Sequence, residues 1–238
     1  FIDVQVLKLL QKEEKKKEEK DTRFVNAATV GSDEVGTGDY FGPIVVTASY
    51  VSRDMMKLLT DLGVRDSKKL TDDKILKIGP TLIKEIPHVT YILNNETYNK
   101  YDHNMNKVKA ILHNKVLCEI LSKPNISYDY IVVDQFCYPK NYFGYLSGAK
   151  EVCKQITFTT KAEDKCLSVA ASSIISRYIF LKEFDKLGES VNTFLKKGAG
   201  KEVDEIGAMI VRKYGFDKLK SIAKLNFKNT EKIKELLK

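Results

Sequence analysis

Residues 31–43 read GSDEVGTGDYFGP, two acids followed at once by a glycine-rich turn. The preceding AATVGSDE (27–34) and the following GPIVVTASYV (42–51) are apolar and β-branched, so the segment predicts two strands joined by that turn. A nucleotide-binding reading of the glycines fails on spacing. Gly36, Gly38 and Gly42 do not form GxGxxG, and no GK[ST] follows. Asp33 and Glu34 would also repel a bound phosphate unless a cation stood between them.

Working outward, 55–62 and 72–85 read as helices, the second entered at Thr71 with acids in its first turn. Residues 88–93 read as a strand. Val108, Ile111, Leu112, Val116 and Ile120 recur at helical spacing within 104–122, and Pro124 and Asn125 end that pattern. YDYIVVD (128–134) reads as a buried strand closed by an acid, and 155–159 as a further strand. Leu167, Ala170, Ala171, Ile174, Tyr178 and Leu181 form one helical face, with helices expected over 201–214 and 228–238. Strands in a hairpin-like run that then alternate with helices predict an α/β fold, a mixed central sheet flanked by helices.

The chain has 238 residues, 43% hydrophobic and 30% charged, a balance that excludes wholesale disorder and is too polar for a membrane bundle. No apolar run approaches the roughly 20 residues that span a bilayer. Cysteines 118, 137, 153 and 166 lack CxxC spacing and read as reduced thiols, which favours a cytoplasmic protein. A net charge of +8 suits a polyanionic partner, and seven lysines against two glutamates fall within 218–238, either a phosphate-facing edge or a solvated helix face. Residues 11–20, QKEEKKKEEK, are low-complexity and carry no apolar stripe, so 1–23 read as a linker and 24–238 as the ordered domain.

Hard divalent cations take oxygen ligands from a few carboxylates. Asp134 closes an apolar strand, which places it at the carboxyl edge of the sheet, where ligands bind in α/β proteins. Glu163, in TTKAEDK, is a further candidate. Each acid alone would serve equally as a helix cap or a solvated turn; together, beside a GTG turn in a basic chain, they point to a metal site. His88, His103 and His113 lack ligand spacing and read as structural or surface residues.

These motifs resemble the type 2 ribonuclease H family, and specifically its ribonuclease HIII branch. The resemblance runs from about 26 to 229 through GSDEVGTGDYFGP, DSKKL (66–70), NKVKAILHN (106–114), VVDQF (132–136), TKAEDKCLSVAASSIISR (160–177) and LNFKN (225–229). It implies an RNase H-like fold and an endonuclease that cuts the RNA strand of RNA/DNA hybrids, leaving 5′-phosphate and 3′-hydroxyl ends. By motif, Asp33, Glu34, Asp134 and Glu163 would be the catalytic carboxylates holding two divalent cations, Mg²⁺ or Mn²⁺. Asp164 stands adjacent to Glu163 and keeps the fourth position open. Gly36, Thr37 and Gly38 would sense ribose 2′-hydroxyls, the group that separates RNA from DNA. Ser67 and Lys68 would contact a backbone phosphate, their alternative being a plain helix entry. Tyr98, Asn99, Asn104, Asn106 and Lys107 form a polar cluster suited to gripping the DNA strand. Members of the HIII branch carry an N-terminal substrate-binding domain related to the TATA-binding-protein fold, of which 1–23 would be a remnant. A monomer without an obligatory protein partner is expected. The alternatives are HII-like cleavage at single ribonucleotides in duplex DNA, and a non-catalytic nucleic-acid-binding module.

Overall fold

The computed structural model describes residues 22–64, 69–100 and 104–238. Most of the 1–23 linker, the Ser67 and Lys68 contacts and His103 therefore lie outside the described residues.

Strands β1 (Thr29–Val35) and β2 (Ile44–Val51) pair antiparallel across the turn, in register from Thr29–Val51 to Val35–Val45. Strand β3 (His88–Leu93) adds antiparallel to β2. On the other side β4 (Tyr130–Asp134) lies parallel to β1, and β5 (Ile156–Thr159) parallel to β4. The order is β3-β2-β1-β4-β5. Every residue of β2 is buried, as an apolar, non-alternating strand requires when both sheet faces are covered.

Between β2 and β3 the two predicted helices form as α1 (Met56–Asp61), entered through a 3-10 turn (Arg53–Met55), and α2 (Asp72–Glu85), the latter with the bounds predicted. The hydroxyl of Thr71 accepts from Lys74 N at 3.3 Å and caps α2, as its sequence signature predicts. After β3 come α3 (Asn95–Tyr98) and α4 (Met105–Leu121), and after β4 comes α5 (Pro139–Tyr145). Strand β5 leads through α6 (Ala162–Lys165) into the long α7 (Leu167–Ser190). The chain continues in α8 (Lys201–Tyr214), α9 (Phe216–Ile222) and α10 (Asn229–Leu236).

Helix α4 covers one face of the sheet, where Val116, Leu117 and Ile120 pack on Val30, Val46, Ile131 and Val133. Helices α7 and α2 cover the other, joining Ala170, Ala171 and Ile174 to Ile75, Ile78 and Leu82. Each such fully buried Val, Leu or Ile contributes ~1.5–3 kcal/mol by leaving water. The C-terminal helices form a third cluster around Tyr40, Phe41, Phe180, Ile222 and Ile233, which seats the turn after β1 against the end of the chain.

Contact between α7 and the sheet is close and partly polar. A Cβ on Gly31 would lie 2.5 Å from the Ser168 hydroxyl, so only glycine fits there. The Ser172 hydroxyl is 2.8 Å from Gly31 O and 3.0 Å from Ser49 Oγ, and the Ser176 hydroxyl is 2.9 Å from Thr47 Oγ1. All four cysteines are free thiols, and among the described residues no helix is long and apolar enough to cross a membrane.

Candidate active site

Alternation along a strand sends neighbouring side chains to opposite faces. Asp33 therefore points to the α7 side, where the Ser173 hydroxyl donates to it, and Glu34 points to the α4 side. Strand β4 is parallel to β1 with Val133 beside Ser32, so Asp134, one residue on, stands beside Asp33 at the same carboxyl end and on the same face. There Asp134 Oδ1 accepts from Ala162 N at 3.0 Å, which ties it to the start of α6. Glu163 follows on α6 and is half-buried, near enough to Asp33 to raise its proton affinity. Asp164, the competing candidate, is exposed. Asp33, Asp134 and Glu163 thus share one face of the sheet edge, with Glu34 just across it.

The electrostatics of the two faces differ. Burial first, then the charges of Glu34 and Glu163, push the Asp33 carboxyl up to about 8. Burial would also raise Glu34, but His113 and then Lys109 outweigh it and hold that carboxyl down at about 2. Glu34 Oε2 is 2.9 Å from His113 Nε2, and Oε1 is 2.5 Å from Lys109 Nζ. An ionised carboxylate only accepts, so Nε2 carries a proton, while Nδ1 faces the Ser32 hydroxyl at 2.7 Å. The ring of His113 stacks on Phe136 at 5.4 Å, and Lys109 Nζ lies 4.2 Å from the same ring centroid.

His113 and Lys109 are the functional residues that sequence reasoning missed. The helical stripe in 104–122 assigns Ile111 to the core, yet Ile111 is 42% exposed and His113 is fully buried. The available signal was an ionisable residue at i+4 from a lysine inside an apolar helix. The proposed DNA-gripping cluster also needs correction. Tyr98 is buried with its hydroxyl on Asn226, Asn99 donates to Lys220 O and Ala223 O, and Asn104 caps α4 by accepting from Lys107 N. Those three bind the protein's own chain; Asn106 and Lys107 remain exposed. His88 sets its Nδ1 2.8 Å from Ile86 O, a structural role as expected.

The glycines of the turn differ in their surroundings. Gly36 has φ +96°, and a Cβ there would meet Pro43 O at 2.2 Å, so the turn itself demands glycine. Gly38 is exposed, and a Cβ added to it would meet nothing within 4 Å, so packing within the protein does not require glycine there. Arg177 of α7 donates to Leu70 O at 2.9 Å and pairs with Asp72 at 2.6 Å. In the lysine-rich C-terminal segment, Lys220, Lys232 and Lys234 pair with Asp217, Asp204 and Glu231, and Lys224 is wholly buried. Much of that charge is therefore neutralised within the chain.

Among the described residues, no three His, Cys, Asp or Glu groups close around one point as an ion-holding cluster. The donor set nevertheless fits a hard divalent cation: Asp33, Asp134 and Glu163 offer oxygens from one face, and Asp33 carries an elevated proton affinity that a cation would relieve.

Comparison with known proteins agrees with this geometry. The family model described as Ribonuclease HII matches residues 30–230. Ribonuclease HIII of Bacillus licheniformis is 46% identical over 213 residues, covering 88% of this chain and 68% of that protein, and the Bacillus subtilis protein of the same name is 45% identical over the same shares. The solved structure of Bst-RNase HIII in complex with Mn²⁺ superposes with a TM-score of 0.87 at 41% identity, covering 90% of this chain and 71% of the other. Ribonuclease H2 from Pyrococcus horikoshii superposes at 0.72 with 25% identity, over 88% of this chain and 98% of the other. With acids at the carboxyl ends of an RNase H-type sheet and relatives of this identity, the chain belongs to the type 2 ribonuclease H family, in its ribonuclease HIII branch, and is a ribonuclease H enzyme.

Proposed function

We propose that the chain hydrolyses the RNA strand of RNA/DNA hybrids with divalent cations, Mg²⁺ or Mn²⁺, held by Asp33, Glu34, Asp134 and Glu163. The observation that carries this is the placement of Asp33, Asp134 and Glu163 on one face at the carboxyl end of the sheet, with Glu34 at its rim. The Mn²⁺ complex of the related Bst-RNase HIII supports the choice of cation. A pair of such ions would supply an activated water and stabilisation of the departing 3′ oxygen, leaving a 5′-phosphate. The chain's own residues do the rest. His113 and Lys109 keep Glu34 ionised and oriented, Ser173 orients Asp33, and the Ala162 amide fixes Asp134. Gly36, Thr37 and Gly38 present backbone to the sugar edge, while Ser67 and Lys68 are proposed to meet a phosphate.

End-labelled hybrids and duplexes with one embedded ribonucleotide, each incubated with Mg²⁺, Mn²⁺ or chelator, test the proposal. Metal-dependent cutting within ribonucleotide runs is expected. Preferred cutting at the single ribonucleotide would favour HII-like specificity, and binding without cutting would reduce the chain to a binding module. Because a methyl at Gly38 has room in the free protein, Gly38→Ala is expected to leave the melting temperature unchanged and to lower hybrid cleavage ~10-fold by holding the sugar away. Wild-type cleavage by that variant would remove Gly38 from recognition.

A further inference from the structure

Lys224 is 0% exposed, an unusual place for an ammonium, and nothing in the chemistry of the carboxylates uses it. Its Nζ donates to Asp39 O at 2.8 Å and to Gly42 O at 2.5 Å, two carbonyls of the turn that follows Asp33 and Glu34. The rest of the turn is held from the same direction. Lys224 N donates to Tyr40 O at 2.8 Å, Gly42 N donates to Ile222 O at 3.0 Å, and Phe41 and Ala223 form an isolated antiparallel bridge. Asn95 Nδ2 adds a bond to Gly42 O at 2.9 Å, and the hydroxyls of Tyr40 and Thr230 lie 3.1 Å apart. The distal limb is fixed as well, with Gly198 N donating to Asp39 Oδ1 and Tyr40 N to Gly198 O.

Packing alone does not select lysine at this position. An apolar side chain of similar volume would fill the space with no desolvation cost, whereas a buried ammonium costs several kcal/mol unless it is well hydrogen-bonded. Burial draws the Lys224 amine down to about 7, against the opposing pull of Asp39. What lysine supplies, and an apolar residue cannot, is a pair of donors for two turn carbonyls. Those carbonyls bracket Tyr40 and Phe41, whose wholly buried rings anchor the outer limb of the loop whose inner limb is Gly36, Thr37 and Gly38.

We infer that Lys224 is a positioning residue for ribose recognition: from the C-terminal segment it clamps the outer limb of the turn, and so fixes the height at which Gly36–Gly38 meet the 2′-hydroxyls of the RNA strand. The inference rests on the reading of the turn as the sugar sensor. It assigns the segment 222–225 a share in substrate specificity although its lysine never touches substrate. Loosening the clamp leaves the carboxylates where they are and lets the sugar-facing backbone drift.

The test compares wild-type protein with Lys224→Met, a variant of similar length without donors. Folding is followed by circular dichroism, Mn²⁺ affinity by calorimetry, and KM and kcat on an all-ribose hybrid and on hybrids carrying one 2′-deoxynucleotide beside the cleaved bond. The expected result is a folded protein with Mn²⁺ affinity within two-fold of wild type, a raised KM, and a ribose-over-deoxyribose preference reduced ~10-fold. Lys224→Arg, which restores donors, should recover part of that preference. A folded Lys224→Met protein with the wild-type preference overturns the inference while leaving the sugar-sensing turn intact. Absence of any preference in the wild-type protein overturns the sensing turn itself, and the inference with it. Should Lys224→Met fail to fold, Tyr40→Phe, which removes only the contact to Thr230 in the same clamp, carries the test: a two- to three-fold loss of preference supports the clamp, and an unchanged preference overturns it.

Discussion

Asp33 and Glu34 are consecutive residues, yet they occupy opposite electrostatic worlds. On the α7 face, Asp33 meets a serine and further carboxylates, and its carboxyl is driven up to about 8 by burial and by Glu34 and Glu163. On the α4 face, Glu34 meets an imidazole and an ammonium, and its carboxyl falls to about 2. The protein supplies counter-charge to one acid and withholds it from the other. The side where it is withheld, which holds Asp33 beside Asp134 and within electrostatic reach of Glu163, is where an added cation would gain most; the supplied side keeps its acid ionised by itself.

The most severe break of this comparison is on the α7 face. Asp134→Asn is expected to lower hybrid cleavage at least ~1000-fold by removing an oxygen from the proposed cation site, while its melting temperature in chelator stays level or rises slightly. Single-turnover cleavage beside a thermal melt measures both, and wild-type cleavage would remove Asp134 from the mechanism.

On the α4 face, His113→Ala leaves Glu34 buried with one partner fewer. The expected cost is ~2–3 kcal/mol in denaturant unfolding, together with a ~10–100-fold loss in Mn²⁺ affinity by calorimetry. If affinity held while stability fell, His113 would be a packing residue only.

Proton linkage sharpens the contrast further. A carboxyl raised to about 8 in the fold binds its proton more tightly folded than unfolded. Stability of the chelator-treated protein should therefore decline as pH rises from about 4 to about 8, and Asp33→Asn should flatten that slope and be the more stable of the two at pH 8. Glu34 has the opposite sign. Its depressed value contributes stability above its unfolded pKa that is lost only as pH falls toward about 2. Denaturant unfolding of the wild type and Asp33→Asn across pH 2–9 separates the two, and a wild-type profile flat from pH 4 to 8 would contradict the Asp33 environment. The smallest effect is expected for Lys109→Met: with His113 still in place Glu34 stays ionised at neutral pH, and the loss should be ~1 kcal/mol, read by chemical denaturation.

Much of this organisation was legible in the sequence where a local signal existed. Helix α2 announced itself through Thr71, its acidic first turn and its apolar period, and the acids stood out because they close apolar strands. Helices α3, α5, α6 and α9 passed unnoticed, being four to seven residues long and so too short for a period to register. Helix α4 and four residues of its buried stripe, Val108, Leu112, Val116 and Ile120, were legible, but His113 was not read as enclosed, because the residue that draws it inward is Glu34, 79 positions away. Lys224 was invisible for the same reason. Its partners lie 182 and 185 residues back, and a lysine in a basic tail reads as surface. A sequence displays which residues can bear charge; which of them are enclosed depends on pairings that only the fold brings about.

The hydroxyl row on α7 has a mechanical meaning. The Ser172 and Ser176 hydroxyls, one turn apart, are teeth that enter notches formed by carbonyls and hydroxyls of β1 and β2, and one turn earlier the Ser49 hydroxyl of β2 reaches back to Ser168 O. An oily interface tolerates a helix that creeps along its axis, since one methyl group replaces another. A toothed one does not: a shift of a single residue turns every hydroxyl out of its notch at once, at ~1 kcal/mol for each bond lost. Helix α7 also carries Ser173 beside Asp33 and begins just after Glu163. Helix and sheet are therefore indexed to one another, and accommodation of a nucleic acid falls to side-chain rotation and to the turn, not to any sliding of the scaffold.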